Sequence, residues 1–198
     1  MLIFIHGGSG AGKSTVGKLL AKEYDGIWID QDSFYKPKKP IVEYIYEGKI
    51  IQEVNWDSLE AIDMKRFNEA IEESRKENPD MPIFVTGFAL RLLQMEHDPD
   101  VNILLDYGLP DEMAQEKMIE SRRKAKGLKG NKDEARVRMV VWPYYQETLS
   151  CIGKPNKIPV YDKTSKRIKL DEIMKEIKLL LKERKTPENP HSRRFSLE

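Results

Sequence analysis

Short continuous apolar runs alternate along the chain with apolar positions at helical spacing, and that alternation predicts the architecture. Leu2–His6 is a short apolar run that stops at glycines and predicts a buried strand. Val16, Leu19 and Leu20 then fall at helical spacing, predicting a helix over Lys13–Tyr24. Gly26–Ile29 predicts a second strand. Residues 33–55, with Pro37, Pro40 and several aromatics, break both periods and read as an irregular excursion. Ser58 is placed to cap a helix running to about Lys76, with Ala61, Phe67 and Ile71 on its apolar face.

Pro82–Thr86 and Val101–Asp106 predict a third and a fourth strand. A helix follows from Pro110 to about Lys126, a Gly/Lys-rich break spans Gly127–Asn131, and a second helical stretch covers Asp133–Ile152 with Pro143 as a kink. Ile158–Tyr161 predicts the fifth strand, and Ile173, Ile177 and Leu180 mark one face of a last helix over Lys169–Lys182. Strands alternating with helices imply an α/β fold with a parallel sheet and right-handed crossovers. The expected organisation is one domain over residues 1–184, an acceptor-side excursion at 33–57, a lid at 122–138 and a flexible polar tail at 185–198.

Composition narrows the classes. The 198 residues carry 34 basic and 33 acidic side chains, a net charge of +1, which makes no electrostatic case for nucleic-acid or membrane binding. One cysteine, Cys151, allows no disulfide within the chain. No apolar run reaches the roughly 18 residues of a membrane span, and the N-terminus lacks a basic leader. An intracellular, cytoplasmic enzyme without an obligate protein partner is the expectation.

The strongest chemical signal is Gly7-Gly8-Ser9-Gly10-Ala11-Gly12-Lys13-Ser14, followed by Thr15, between the first strand and the first helix. It fits the phosphate-binding pattern G-x-x-x-x-G-K-[ST]. Glycines let backbone N–H groups wrap a phosphate, and the helix start offers its positive end. Gly8, Ser9, Gly10, Ala11, Gly12, Lys13, Ser14 and Thr15 are therefore candidate ATP contacts. Lys13 would bridge the β- and γ-phosphates, and Ser14 would be a ligand of magnesium. The fold expected around this loop is a P-loop nucleotide-binding fold with five parallel strands flanked by helices.

Asp30-Gln31-Asp32-Ser33-Phe34-Tyr35-Lys36-Pro37 follows the second strand and should open beside that loop. Phosphoryl transfer to a hydroxyl needs a carboxylate to take its proton, for which Asp32 is the first candidate and Asp30 the second. Trp56 and Asp57 suit a flat ring and sugar hydroxyls, with Tyr35 as an opposite wall. Arg122 and Arg123 head a basic stretch that could close over phosphates.

These segments together resemble the nicotinamide riboside kinases, within the uridine kinase-like P-loop kinases. Asp30–Pro37 is similar to their Q-D-[DS]-F-[FY]-K-P segment, and Trp56–Met64 to their [YW]-D-x-L-E-A-[LI]-[ND]-M segment. Val141-Trp142-Pro143-Tyr144-Tyr145 resembles V-W-P-x-Y, and Tyr161–Ser165 their loop after the last strand. The resemblance implies Asp32 as catalytic base and Tyr35, Trp56 and Asp57 on the nucleoside, Asp32 also touching it. It implies that one or both of Arg122 and Arg123 contact phosphates or ribose, Arg122 with Thr164 at the nucleotide and Arg123 in catalysis, with ATP and Mg2+ as cofactors and a nucleoside as substrate. The departure is Val85-Thr86-Gly87-Phe88, where the family carries I-E-G-F. Without that Glu, metal positioning rests on Ser14, the phosphates, water and Asp32, and Thr86→Glu should lower the magnesium requirement.

Overall fold

The computed structural model describes residues 1–88, 90, 95–126 and 132–185. In chain order the elements are β1 (Leu2–Gly7), α1 (Lys13–Glu23), β2 (Ile27–Asp30), β3 (Ile41–Tyr46), β4 (Lys49–Val54), α2 (Met64–Glu77), β5 (Ile83–Gly87), β6 (Val101–Asp106), α3 (Asp111–Lys126), α4 (Lys132–Arg136), α5 (Trp142–Cys151), β7 (Asn156–Pro159) and α6 (Leu170–Lys185).

Alternation of side chains along β1 sorts the core into two layers. Ile3 and Ile5 face α1, α3 and α6, meeting Val16, Leu20, Met118, Ile173 and Ile177. Leu2 and Phe4 face the opposite side, where α2 supplies Phe67 and Ile71. β1 is central in the parallel order β2-β5-β1-β6-β7, so the five expected strands do form one parallel sheet flanked by helices. The fifth strand lies at Asn156–Pro159 rather than 158–161, and Tyr161 instead makes an isolated bridge with Arg167. The C-terminal ends of β1, β2, β5 and β6 line one edge, where ligands of such sheets bind.

The excursion is more ordered than its composition suggested. β3 and β4 form an antiparallel hairpin turning at Glu47 and Gly48, both with positive φ (50° and 72°), the geometry of a two-residue turn that matches strand twist. The Glu47-Gly48 pair between β-branched runs was the available signal. Asn55 N–H donates to the Pro40 carbonyl at 2.8 Å and closes the hairpin base.

Ser58 caps a short 3₁₀ turn (Leu59–Ala61), accepting from Glu60 N–H, and does not start the long helix. Asp63 caps α2, accepting from Arg66 N–H at 3.2 Å. Ile62 between them is extended and bridges Tyr35, so the helix cannot begin earlier. Around the expected kink at Pro143, a π-helical stretch over Val137–Val141 runs directly into α5, with Pro143 as the second residue of α5. Gly127–Asn131 and residues 186–198 lie outside the described residues, so the expected break and tail, and the middle of the expected lid, are not described. Among the described residues no helix is long and apolar enough to cross a membrane.

Candidate active site

The loop between β1 and α1 is built to approach an anion. Gly12 stands at the start of α1 with φ 99°, a conformation side chains resist. A Cβ on Gly8 would meet the Tyr107 ring at 2.7 Å, so the loop can lie this low only with glycine. Tyr107, at the end of β6, donates its hydroxyl to the Ser9 carbonyl at 2.7 Å and ties the loop to the sheet edge. Tyr107 stands in an aromatic cluster with Trp142, Tyr145 and Tyr161. The Trp142-Pro143-Tyr144-Tyr145 segment thus supports the loop from beneath, and its Trp142 and Tyr145 side chains are buried in the core.

Lys13 Nζ donates to the Gly8 carbonyl at 3.0 Å, curled back over the loop. Burial pulls its pKa below the usual lysine value, and the carboxylates of Asp32, Asp30 and Asp57 pull it back up. The Ser14 hydroxyl donates to Asp30 at 2.9 Å. Asp32 accepts from the Tyr35 hydroxyl at 3.4 Å. Loss of hydration holds the Asp32 carboxyl above the ordinary carboxylate range, aided by Asp30 and opposed by Lys13 and the Tyr35 hydrogen bond. Asp32 still reaches water, because the space it faces is an open cleft.

That cleft has a volume of about 490 Å³ and is lined by Ser9, Lys13, Asp32, Tyr35, Trp56, Asp57, Phe88 and Arg122. A second cleft of about 350 Å³ adjoins it over the loop, sharing Ser9, Lys13, Asp32 and Arg122 and adding Gly10, Gly12, Ser14, Thr15 and Ser121. Residues 9 to 122 thus converge on one connected groove, one end rich in loop backbone and the other in aromatic and acidic side chains.

Asp57 is held by two arginines, with Arg122 Nη1 and Arg136 Nη2 each 3.4 Å from its oxygens. Arg122 also donates to the Ser9 hydroxyl at 3.3 Å, and Arg136 reaches Glu53 at 3.2 Å and the Val54 carbonyl at 3.1 Å. Both guanidiniums are buried, so the network joins α3, α4 and the hairpin at the mouth of the groove. The two neighbouring arginines separate here: Arg122 faces the groove, whereas Arg123 turns to Glu134 at 3.3 Å and lines neither cleft.

Thr164 also lines neither cleft; its backbone N–H and hydroxyl both donate to Asp162. Arg167, absent from the expected site, donates to the Ala11 carbonyl at 2.6 Å and lies over the Tyr161 ring. Arg136 and Arg167 carried no local signal, since each is one basic residue among many. Tyr35 and Trp56 do not stand as parallel walls. Their rings meet at 89° with centroids 5.1 Å apart, the edge-to-face contact that aromatic quadrupoles favour when no third ring separates them.

Thr86 is fully buried at the end of β5, and its hydroxyl accepts from the Trp28 indole N–H at 3.1 Å. A Cβ on Gly17 of α1 would meet the Thr86 methyl at 2.5 Å, so the side chain is wedged against α1. Oxygen donors beside the loop suit a hard cation such as Mg2+: the Ser14 hydroxyl, with the carboxylates of Asp30 and Asp32 around it.

No protein-family model and no curated protein matches the sequence. Solved structures similar to the chain include a gluconokinase from Sinorhizobium meliloti 1021, with a TM-score of 0.47 and 19% identity over 88% of this chain and 87% of that one. A shikimate kinase from Bacteroides thetaiotaomicron gives 0.46 and 13% over 92% and 98%. A deoxyadenosine kinase from M. mycoides with bound dATP gives 0.47 and 15% over 92% and 100%. None of these distant likenesses carries its acceptor over to this chain.

Proposed function

We propose that the protein is an ATP- and Mg2+-dependent kinase that phosphorylates a nucleoside hydroxyl, with nicotinamide riboside as acceptor and nicotinamide mononucleotide as product. The observation that carries this reading is the connected groove, which sets Lys13 and the phosphate loop at one end and Asp32, Tyr35, Trp56 and Asp57 at the other. ATP fits the loop end, with Lys13 swinging from the Gly8 carbonyl onto the phosphates and Arg122 beside them. Magnesium, when bound, would neutralise charge on the β- and γ-phosphates, held by Ser14 with Asp30 and Asp32 close by.

Asp32 accepts the proton of the acceptor hydroxyl as its oxygen bonds to the γ-phosphorus and the bond to the ADP oxygen breaks. A raised Asp32 pKa makes the carboxylate a stronger base than an ordinary aspartate. Asp57, held by two arginines, presents its oxygens to sugar hydroxyls. Trp56 offers a ring face to a cationic pyridinium, an attraction of about 0.5–2 kcal/mol.

Substrate-dependent ADP release across a panel of nucleosides tests the reading. Nicotinamide riboside should give the highest kcat/KM, and its advantage over uridine should shrink in Trp56→Leu by roughly 2- to 30-fold. Equal or better use of uridine would point to a uridine kinase-like acceptor site. No nucleoside-dependent ADP release with any member of the panel, alongside retained ATP binding, would point to a nucleotide-binding regulatory protein.

A further inference from the structure

The aromatic pair of the acceptor end already carries a cation. Lys39 Nζ stands 4.1 Å from the centroid of the Trp56 ring and 5.8 Å from that of Tyr35. Both distances lie within the roughly 6 Å over which an ammonium is attracted to a ring face.

The backbone brings the lysine there. Lys39 precedes Pro40, which disfavours helical backbone at residue 39. The Pro40 carbonyl accepts from Asn55 N–H at 2.8 Å, so residue 39 is tied beside the residue that precedes Trp56. At the other end of the segment, Lys36 N–H donates to the Ala61 carbonyl at 2.8 Å, and Tyr35 bridges Ile62. The segment from Tyr35 to Pro40 therefore runs along the Asn55–Ile62 segment at fixed points, and the long Lys39 side chain spans from it onto the indole. Trp56 is 43% exposed and lines the acceptor cleft together with Tyr35, whereas Lys39 reaches the ring from outside that lining.

Resting on the acceptor reading above, we propose that Lys39 is a specificity-determining residue: a resident cation on the Trp56 indole whose charge opposes a cationic acceptor ring stacking on the same indole. A neutral ring stacked on the same indole meets no charge repulsion from the lysine. The positive charge therefore weakens binding of a pyridinium nucleoside more than that of a neutral one.

Isothermal titration of the full chain with nicotinamide riboside and with uridine, in wild type, Lys39→Met, Lys39→Arg and Lys39→Met/Trp56→Leu, tests this. Lys39→Met should tighten nicotinamide riboside roughly 3- to 10-fold and uridine by less than about 2-fold. Lys39→Arg, which keeps the cation, should stay near wild type, and the gain of Lys39→Met should vanish when Trp56 is also replaced. Equal tightening of both nucleosides, no change, or weaker binding of nicotinamide riboside would overturn the proposal while leaving the acceptor reading intact. Failure of wild type and Lys39→Met alike to bind nicotinamide riboside would overturn the acceptor reading and this proposal with it. Independently of any acceptor, the ε-methylene protons of Lys39 should show an upfield ring-current shift that Trp56→Leu abolishes. A lysine without that shift overturns the stacking itself.

Discussion

Thr86 on β5 pairs in register with Asp30 on β2, so a neutral hydroxyl and a carboxylate stand side by side at the strand ends. The position where a carboxylate was expected holds a threonine whose hydroxyl is taken by Trp28, while its register partner receives the Ser14 hydroxyl at 2.9 Å. Thr86→Glu is therefore expected to fail as a restoration. It would bury an unpaired charge between β5 and α1, where glycine is required at 17, and should lower stability by about 3 kcal/mol or more. The magnesium concentration for half-maximal rate should not fall. Asp30→Asn should instead raise that concentration roughly 10- to 100-fold. A magnesium titration that improves in Thr86→Glu and is unchanged in Asp30→Asn would return the role to position 86.

Lys13 should matter more to the transition state than to ground-state binding, because charge develops on the transferring phosphoryl group. Lys13→Ala should cut turnover by roughly 100-fold or more with the fold intact, read as an unchanged circular-dichroism spectrum and melting curve. Wild-type turnover in this variant would remove the phosphate loop from the chemistry.

Asp32→Asn keeps size and removes the proton acceptor. Turnover should drop roughly 100- to 10,000-fold, with nucleotide affinity by titration calorimetry changed only a few-fold. An active Asp32→Asn beside an inactive Asp30→Asn would assign the base to Asp30.

His6, fully buried on β1 just before the loop, offers a stability test. Asn102 donates its amide to the Ile152 carbonyl at 2.6 Å, so its oxygen faces His6 and the imidazole must carry its proton on Nε2. Burial lowers the His6 pKa from 6.5 to about 4, the Asn102 hydrogen bond opposing this and Lys13 adding to it. The unfolded chain therefore takes up a proton that the folded one refuses between those values. Stability from this group is intact above pH 6.5 and is lost progressively as pH falls toward 4, by up to about 3 kcal/mol at roughly 1.4 kcal/mol for each pH unit. Urea midpoints measured from pH 7 to 4.5 should fall less steeply in His6→Gln than in wild type. Parallel curves would show that His6 titrates normally.

The sequence by itself determined the parallel sheet, the phosphate loop and the neighbourhood of Asp32, Tyr35, Trp56 and Asp57. Those features are carried by local patterns: a continuous apolar run on β1, period 3.6 on α1, glycines where the loop must turn, and the Asp30–Pro37 and Trp56–Met64 segments. The β3–β4 hairpin was also within its reach, because Glu47-Gly48 is a local turn signal. What only the tertiary structure decided are relations between side chains far apart in the chain. Arg122 faces the groove and Arg123 does not, because the rotation of α3 about its axis separates adjacent residues by about 100°. Trp28 reaches Thr86 across 58 residues because β2 and β5 are neighbours, and their register sets Asp30 beside Thr86 at the strand ends. Lys39 finds Trp56 because one backbone hydrogen bond, from Asn55 to Pro40, closes the hairpin base between them. Local patterns state which residues can do chemistry, but which atoms meet depends on helix rotation and strand register, and those are settled by how the whole core packs.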